Sequence, residues 1–433
     1  MRQLERMTPL MQRFLRHVSV VFAFKAMSLA LTLVVYVLCV RELGAALWGQ
    51  VALVTSVAGV LLIPLTFGLY NGVVKYVPVS SAADSKAIMG TALAGNLVIS
   101  TLAAGLLVLA GPTVERIAGL PYAHWLWAVA LAMSINLYIL AESFLRGQQK
   151  FYLVGSYKFY ASIALLLGTA AILYAWQIKS MAAYLLPFIA YHLLFFIGAL
   201  PKSGVWPLRV SGQAWRLLLG FGLFNMLTWL CSTVLFTSDL YFIARFGTDY
   251  ETGVYSVYQN NIRALCTILF HDVFAVVFLP MIASRDKRQV DRMAVNYSIP
   301  IFLAICAGVA MLTACLVLLL GKSIPLHGGY IALTAAGSAM NMMYLLFTSI
   351  LSLDGVRAAK LAWVSLLLPM PLLLGLQYVC VQQWGVMGGM VSVVIVNALL
   401  VLSFRLAIHY FYPVQQAANV ASPLPETHAQ PGG

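Results

Sequence analysis

The chain is a succession of apolar runs that are too long and too numerous for a water-soluble fold. Twelve of them, at roughly 18–40, 46–74, 88–110, 123–144, 159–177, 181–200, 217–243, 252–282, 295–320, 329–351, 361–381 and 386–411, carry almost no charge. About 20 helical residues match the ~30 Å hydrocarbon core of a bilayer, and each run is about that long or longer. Only 9% of the 433 residues are charged and 62% are apolar, where a soluble chain would carry about 25% charged residues. A string of soluble domains is excluded, as is disorder. Too little polar sequence is left for an appended catalytic domain. The expected fold is an all-α polytopic membrane protein with twelve transmembrane helices. Pro64, Pro187 and Pro371 fall inside spans, which membranes tolerate where neighbouring helices or wet cavities re-satisfy the freed backbone groups.

A net charge of +13 looks at first like a nucleic-acid footprint, but the charges sit in short loops between apolar runs, where they set topology instead. Counting alternate loops puts nineteen Lys and Arg on one side, among them Arg2, Arg6, Arg13, Arg16, Arg285, Lys287, Arg288 and Arg292. Five lie on the other: Arg41, Arg116, Lys179, Arg245 and Lys322. Lys25 and Arg263, the remaining two of 26, fall inside predicted helices. This asymmetry places both termini in the cytoplasm. The first run, Val18 to Val40, is too long for a signal-peptide core and reads as a retained helix. The six cysteines lie in or at the ends of apolar runs and form no CxxC pair, so neither disulfides nor a metal site is expected. Residues 413–433, rich in Pro, Ala and Gln, are expected to be a disordered cytoplasmic tail.

The two halves resemble each other. RELGAALWGQVA (Arg41 to Ala52) and ARFGTDYETGVYS (Ala244 to Ser256) align Gly49 on Gly253 at an offset of 204 residues. Pro78, Asp84 and Lys86 match Pro280, Asp286 and Arg288 at an offset of 202. Six helices per copy give the halves one orientation, a parallel pseudo-two-fold repeat. The expected units are a six-helix lobe over 1–205 and another over 206–412. Such repeats place a substrate site between the halves near the midplane.

The stretch RELGAALWGQVALVTSVAGVLLIPLTFGLYNGVVK, from Arg41 to Lys75, resembles the N-terminal signature of the polysaccharide transporter family: an outer-loop "LG…G", a helix, then a "G…K/R" exit. DLYFIARFGTDYETGVY, from Asp239 to Tyr255, resembles that family's helix-7 element, and the basic loop SRDKRQVDRM fits as well. The family includes the O-antigen and exopolysaccharide flippases of the multidrug/oligosaccharidyl-lipid/polysaccharide exporter superfamily. The resemblance implies a flippase in a bacterial plasma membrane. It would carry undecaprenyl-diphosphate-linked oligosaccharide to the outer leaflet for O-antigen, capsule or exopolysaccharide assembly. Two lobes would form a V and alternate their access, driven by a sodium or proton gradient and with no other cofactor. Membrane lipids and polysaccharide polymerase or ligase machinery would be its partners. Family members often have 14 helices, and no extra pair is found here.

Charge inside a span is costly and marks function by default. Lys25 is followed at +3, +7 and +11 by Ser28, Thr32 and Tyr36, one helix face. Gln259, Asn260, Arg263 and Thr267 share a face of helix 8; Asn225, Thr228, Ser232 and Asp239 mark helix 7; Asn341, Tyr344 and Thr348 mark helix 10. Lys25 and Arg263 are the expected contacts to a pyrophosphate, Arg through its planar fork and Lys as a point charge. The alternatives are snorkelling for Lys25 and an ion pair with Asp239 or Asp272 for Arg263. Asp239 and Asp272, the latter beside His271, are candidates for ion coupling; interface anchoring and buried pairing are their respective alternatives. Glu142 reads as an i,i+4 partner of Arg146. Lys75 and Arg146 stand at the cytoplasmic mouth, where they would steer an anionic head group or merely set topology.

Three other functions compete with this reading. A multidrug cation exporter of the same superfamily would want acidic groups in its cavity, whereas the deep charges include two cations. A glycosyltransferase, polymerase or ligase would need catalytic groups on a substantial outer loop, and no such loop exceeds about a dozen residues. A scaffold would have no use for the polar stripes. A non-enzymatic transporter is the expectation.

Overall fold

The computed structural model describes residues 9–270, 287–351 and 355–411. Among these, all regular structure is helical and no strand occurs. Helix α1 (Pro9–Thr66) holds the first two predicted spans, broken at Gly44, where φ is 76° and ψ 171°. A left-handed φ of this kind strains any residue with a Cβ, so glycine marks the turn. After it come α2 (Leu69–Tyr76), α3 (Ala82–Ala118), α4 (Tyr122–Gly147), α5 (Phe151–Ala170) with a π turn at Ala171–Ala175, and α6 (Ala182–Lys202). The second half runs α7 (Gly212–Phe246), α8 (Asp249–Tyr255), a π turn at Ser256–Asn260, and α9 (Asn261–Leu269). It continues with α10 (Lys287–Asn296), α11 (Ser298–Leu320), α12 (Gly328–Leu351), α13 (Gly355–Leu367) and α14 (Met370–Phe411), which breaks at Gly385.

Nine segments among the described residues are long and apolar enough to cross a membrane. Two of these, Ala23–Thr66 and Lys360–Tyr410, are 44 and 51 residues long and hold two predicted spans each. The predicted span 252–282 is described only as far as Phe270, over α8, the π turn and α9. The architecture is the expected one: a multi-pass all-α membrane protein, twelve helices in two lobes related by a parallel pseudo-two-fold repeat.

Helix starts follow local chemistry. The Ser81 and Ser211 hydroxyls accept from the backbone N–H groups of Asp84 and Ala214. Thr248 and Glu251 form a reciprocal capping box that starts α8 immediately after α7. Several helices outrun their apolar runs: α3 spans 82–118 where 88–110 was expected, and α5 begins at Phe151 instead of 159.

The halves meet at the end of the bundle that carries few basic residues. Gly49 and Gly253, the residues matched by the repeat, lie against each other's helices there. A Cβ on Gly49 would collide with the Asp249 carbonyl, and one on Gly253 with the carbonyl of Ala45. The Gln50 amide donates to Asp249 Oδ2 across the same junction at 2.7 Å. One hydrophobic cluster continues through it, joining Val51 and Val54 to Ile243, Val254 and Tyr255. At the basic end, Leu69 and Val73 of α2 pack with Leu218 of α7.

Candidate functional site

A cavity of about 550 Å³ opens in the second half between α7, the Ser256–Asn260 turn with α9, and α12. Its aromatic walls are Trp229, Phe236 and Tyr344; Ser232, Thr233, Thr237 and Thr267 supply hydroxyls, Asn260 and Asn341 amides, and Arg263 a guanidinium. Neutral hydrogen-bonding groups, aromatic faces and a single cation among the lining residues make a site that can hold a polar, anionic molecule without being charged throughout.

The cation is held by α7. Arg263 Nη1 donates to Asp239 Oδ2 at 2.8 Å; its Nη2 donates to the Phe236 carbonyl at 2.6 Å and to Asn260 Oδ1 at 3.2 Å. The side chains are 8% and 0% exposed, so this is a buried pair between two spans. Asp239 Oδ2 also accepts from the Tyr255 hydroxyl at 2.6 Å, and its Oδ1 from the Leu240 N–H at 2.7 Å. The carboxylate is thus fully partnered, as a buried charge must be.

The π turn makes this convergence possible. Tyr255 and Arg263 are eight residues apart, which in a regular α-helix turns them about 80° from each other. One extra residue in the intervening Ser256–Asn260 turn gives them the placement of residues seven apart, on one face. Both then reach one carboxylate. Beside the cavity, the Thr267 hydroxyl donates to the Arg263 carbonyl at 2.9 Å, and Asn341 Nδ2 donates to Asn397 Oδ1 at 3.2 Å. On the far side of α7, Ser238 donates to Gln377 Oε1 at 2.5 Å, tying α7 to α14.

Of the residues selected from sequence, Arg263, Asn260 and Asn341 come together on the cavity wall, with Asp239 directly behind Arg263. Gln259 is fully buried beside Gly337, turned away from the cavity. The stripe on α1 points elsewhere. Ser28 shares a 2.6 Å hydrogen bond with Ser162 of α5, Thr32 donates to the Ser28 carbonyl at 2.9 Å, and Tyr36 packs edge-on against Trp48 at 5.1 Å. Ser28 thus faces α5 inside the first half, while the Tyr36 hydroxyl comes beside Asn261 of α9. Lys25, half-buried, lies one turn before Ser28 on the same helix. Lys75 is exposed, with its ammonium 3.9 Å from the centre of the Phe221 ring, a cation–π contact between the halves. Arg146 is 53% exposed and 3.8 Å from Glu142. The nearer partner of Glu142 is Lys158 of α5, at 2.9 Å, so the expected i,i+4 pair is secondary to an interhelical one. The side chain of Asn225, Asp272 with His271, the matched Pro280 and Asp286, and the tail lie outside the described residues. Tyr255, Trp229, Phe236, Gln377 and Asn397 are site residues that the sequence reading missed.

The helical fold that carries this cavity is shared with solved membrane transporters. A multidrug-resistance MATE family transporter of the MOP superfamily, solved inward-facing, is similar with a TM-score of 0.65 at 15% identity, covering 90% of this chain and 97% of that one. The lipid II flippase MurJ in an inward closed conformation gives 0.65 at 14% identity, over 90% and 87%. The Vibrio cholerae MATE transporter VcmN gives 0.62 at 15%, over 90% and 96%. No curated protein matches in sequence. The particular family is given by the profile of polysaccharide biosynthesis proteins, which matches residues 14–285, more than half the chain; the protein belongs to that family.

Proposed function

We propose that the protein is a flippase for undecaprenyl-diphosphate-linked oligosaccharide, with lobes over 1–205 and 206–412 alternating around the cavity, and that it is not an enzyme. One observation carries this reading: Arg263, the cation of the cavity wall, is buried yet lines open space beside hydroxyls, amides and aromatic rings. A guanidinium so placed suits phosphate oxygens, and the neutral polar wall with its aromatic faces suits a sugar. Lys25 and Asn225 are the further proposed contacts along the route, and Lys75 and Arg146 its cytoplasmic mouth. The charge asymmetry of the loops sets the Gly49–Gly253 end outward in a bacterial plasma membrane, with both termini inside. The product would feed O-antigen, capsule or exopolysaccharide assembly by polymerase or ligase partners.

Asp239 is engaged by Arg263, Tyr255 and Leu240. A sodium ion or proton coupling through it, or through Asp272, would therefore exchange with the guanidinium. The family's fold also serves multidrug transport. The test is reconstitution: vesicles containing the protein should translocate a lipid-diphosphate-linked oligosaccharide and fail to move a cationic dye. Dye efflux without glycan translocation would reverse the assignment.

A further inference from the structure

The Tyr255 hydroxyl is buried behind the cavity, bonded to the carboxylate that holds its cation. Its helix, α8, also carries Gly253, whose contact with Ala45 closes the two halves at the sparsely charged end. Tyr255 and Gly253 are two residues apart in a seven-residue helix. The turn after it is a π turn, a weaker hydrogen-bonding arrangement than the α-helix and a common locus of functional movement. A rigid short helix therefore links a charge in the cavity to the seal, with an irregular turn at its end.

We propose that Tyr255 is a positioning residue through which the Arg263–Asp239 pair holds the seal between the halves shut. With the pair intact, Asp239 Oδ2 accepts from both Arg263 and Tyr255, at 2.8 and 2.6 Å. That shared oxygen fixes α8 against α7, and α8 presses Gly253 onto Ala45. An anionic group in the cavity competes for the guanidinium. When Arg263 turns to it, the carboxylate loses its counter-charge in a buried place, an arrangement costly enough that α8 must shift or the acid must be re-partnered. Substrate charge is then converted into release of the seal. The inference rests on the reading that Arg263 takes the substrate's phosphate. The Tyr255 link itself is open to test without any substrate.

The experiment uses full-length protein with Gln50→Cys and Asp249→Cys, whose native side chains touch at 2.7 Å across the seal. The initial rate of crosslinking between them is compared in four proteins: this parent, Tyr255→Phe, the charge-free double variant Asp239→Ala/Arg263→Ala, and the triple variant. Removing the Tyr255 hydroxyl should shift the closed–open equilibrium about tenfold, the scale set by a hydrogen bond to a charged group, and so slow crosslinking by up to about tenfold. In the charge-free background, already slow, the same change should have an effect below about twofold, because the residues act as one unit. Parental crosslinking in Tyr255→Phe overturns the proposal, as does an equal loss in both backgrounds. Thermal midpoints guard against misfolding. A Tyr255→Phe protein that melts with the parent but crosslinks slowly supports the link, and one whose crosslinking falls only in proportion to lost fold contradicts it. Failure of the phosphate reading would show separately, as inorganic pyrophosphate binding to Arg263→Ala as it does to the parent.

Discussion

Lys158–Glu142 in the first half and Arg263–Asp239 in the second are both ion pairs between helices, and the two are built differently. In the first half, Lys158 of α5 meets Glu142 of α4 at 2.9 Å, with Arg146 a second cation at 3.8 Å. The Lys158 and Glu142 side chains remain 20% and 14% exposed, near the basic end. In the second half, Arg263 and Asp239 are 8% and 0% exposed, and the other partners of Asp239 among the described residues, Tyr255 and the Leu240 N–H, are neutral donors. The first pair has a cation in reserve and water close by. The second is more deeply buried and has no second cation beside Asp239 among the described residues, yet it is the one that faces a cavity. Among the described residues, the uncushioned charge resides in the second half. A charge kept in that state is available to a ligand, whereas the first pair is a fastening between α4 and α5.

The largest expected effect follows from removing the unreserved cation. Arg263→Ala leaves Asp239 charged and buried, and breaking such a pair costs about 3–5 kcal/mol; thermal unfolding in detergent should show it, together with loss of glycan translocation. Removing both charges sharpens the comparison. Asp239→Ala/Arg263→Ala should regain most of that stability, since it leaves no orphaned charge, and should still fail in translocation. Lys158→Ala should cost less, about 1–2 kcal/mol, because Arg146 remains beside Glu142 and solvent screens the site; translocation should stay within about twofold of the parent. Equal losses for Lys158→Ala and Arg263→Ala would break the distinction. The smallest effect belongs to Arg146→Ala, where an exposed partner is worth about 0.5 kcal/mol or less, measurable only as a slight shift in the thermal midpoint.

Topology was readable because the bilayer imposes a length on every span, and the apolar runs record it. Helix ends were less so, because helices continue into the head-group layer where the sequence turns polar. Lys158 illustrates this: assigned to a loop with the run starting at 159, it lies two turns inside α5, within reach of Glu142. Arg263 was recognisable from its cost inside a span, and Asp239 as one of two candidate partners. Tyr255 was not, since a constant 3.6-residue period cannot bring residues eight apart onto one carboxylate; the π turn does that. The α1 stripe shows the converse. The periodicity of Ser28, Thr32 and Tyr36 is real, but Ser28 finds its partner on α5 and Tyr36 packs edge-on against Trp48, so the shared face is taken up in packing.

The central claim is that Arg263 grips phosphate inside the second-half cavity. Trp229 lines that cavity and can report on it. Purified protein titrated with undecaprenyl diphosphate should show a saturable change in tryptophan fluorescence that disappears in Trp229→Phe. In Arg263→Ala the apparent affinity should fall at least about tenfold, as expected for losing a charge-assisted hydrogen bond to phosphate. Parental affinity in Arg263→Ala, with the Trp229 signal intact, would contradict the account.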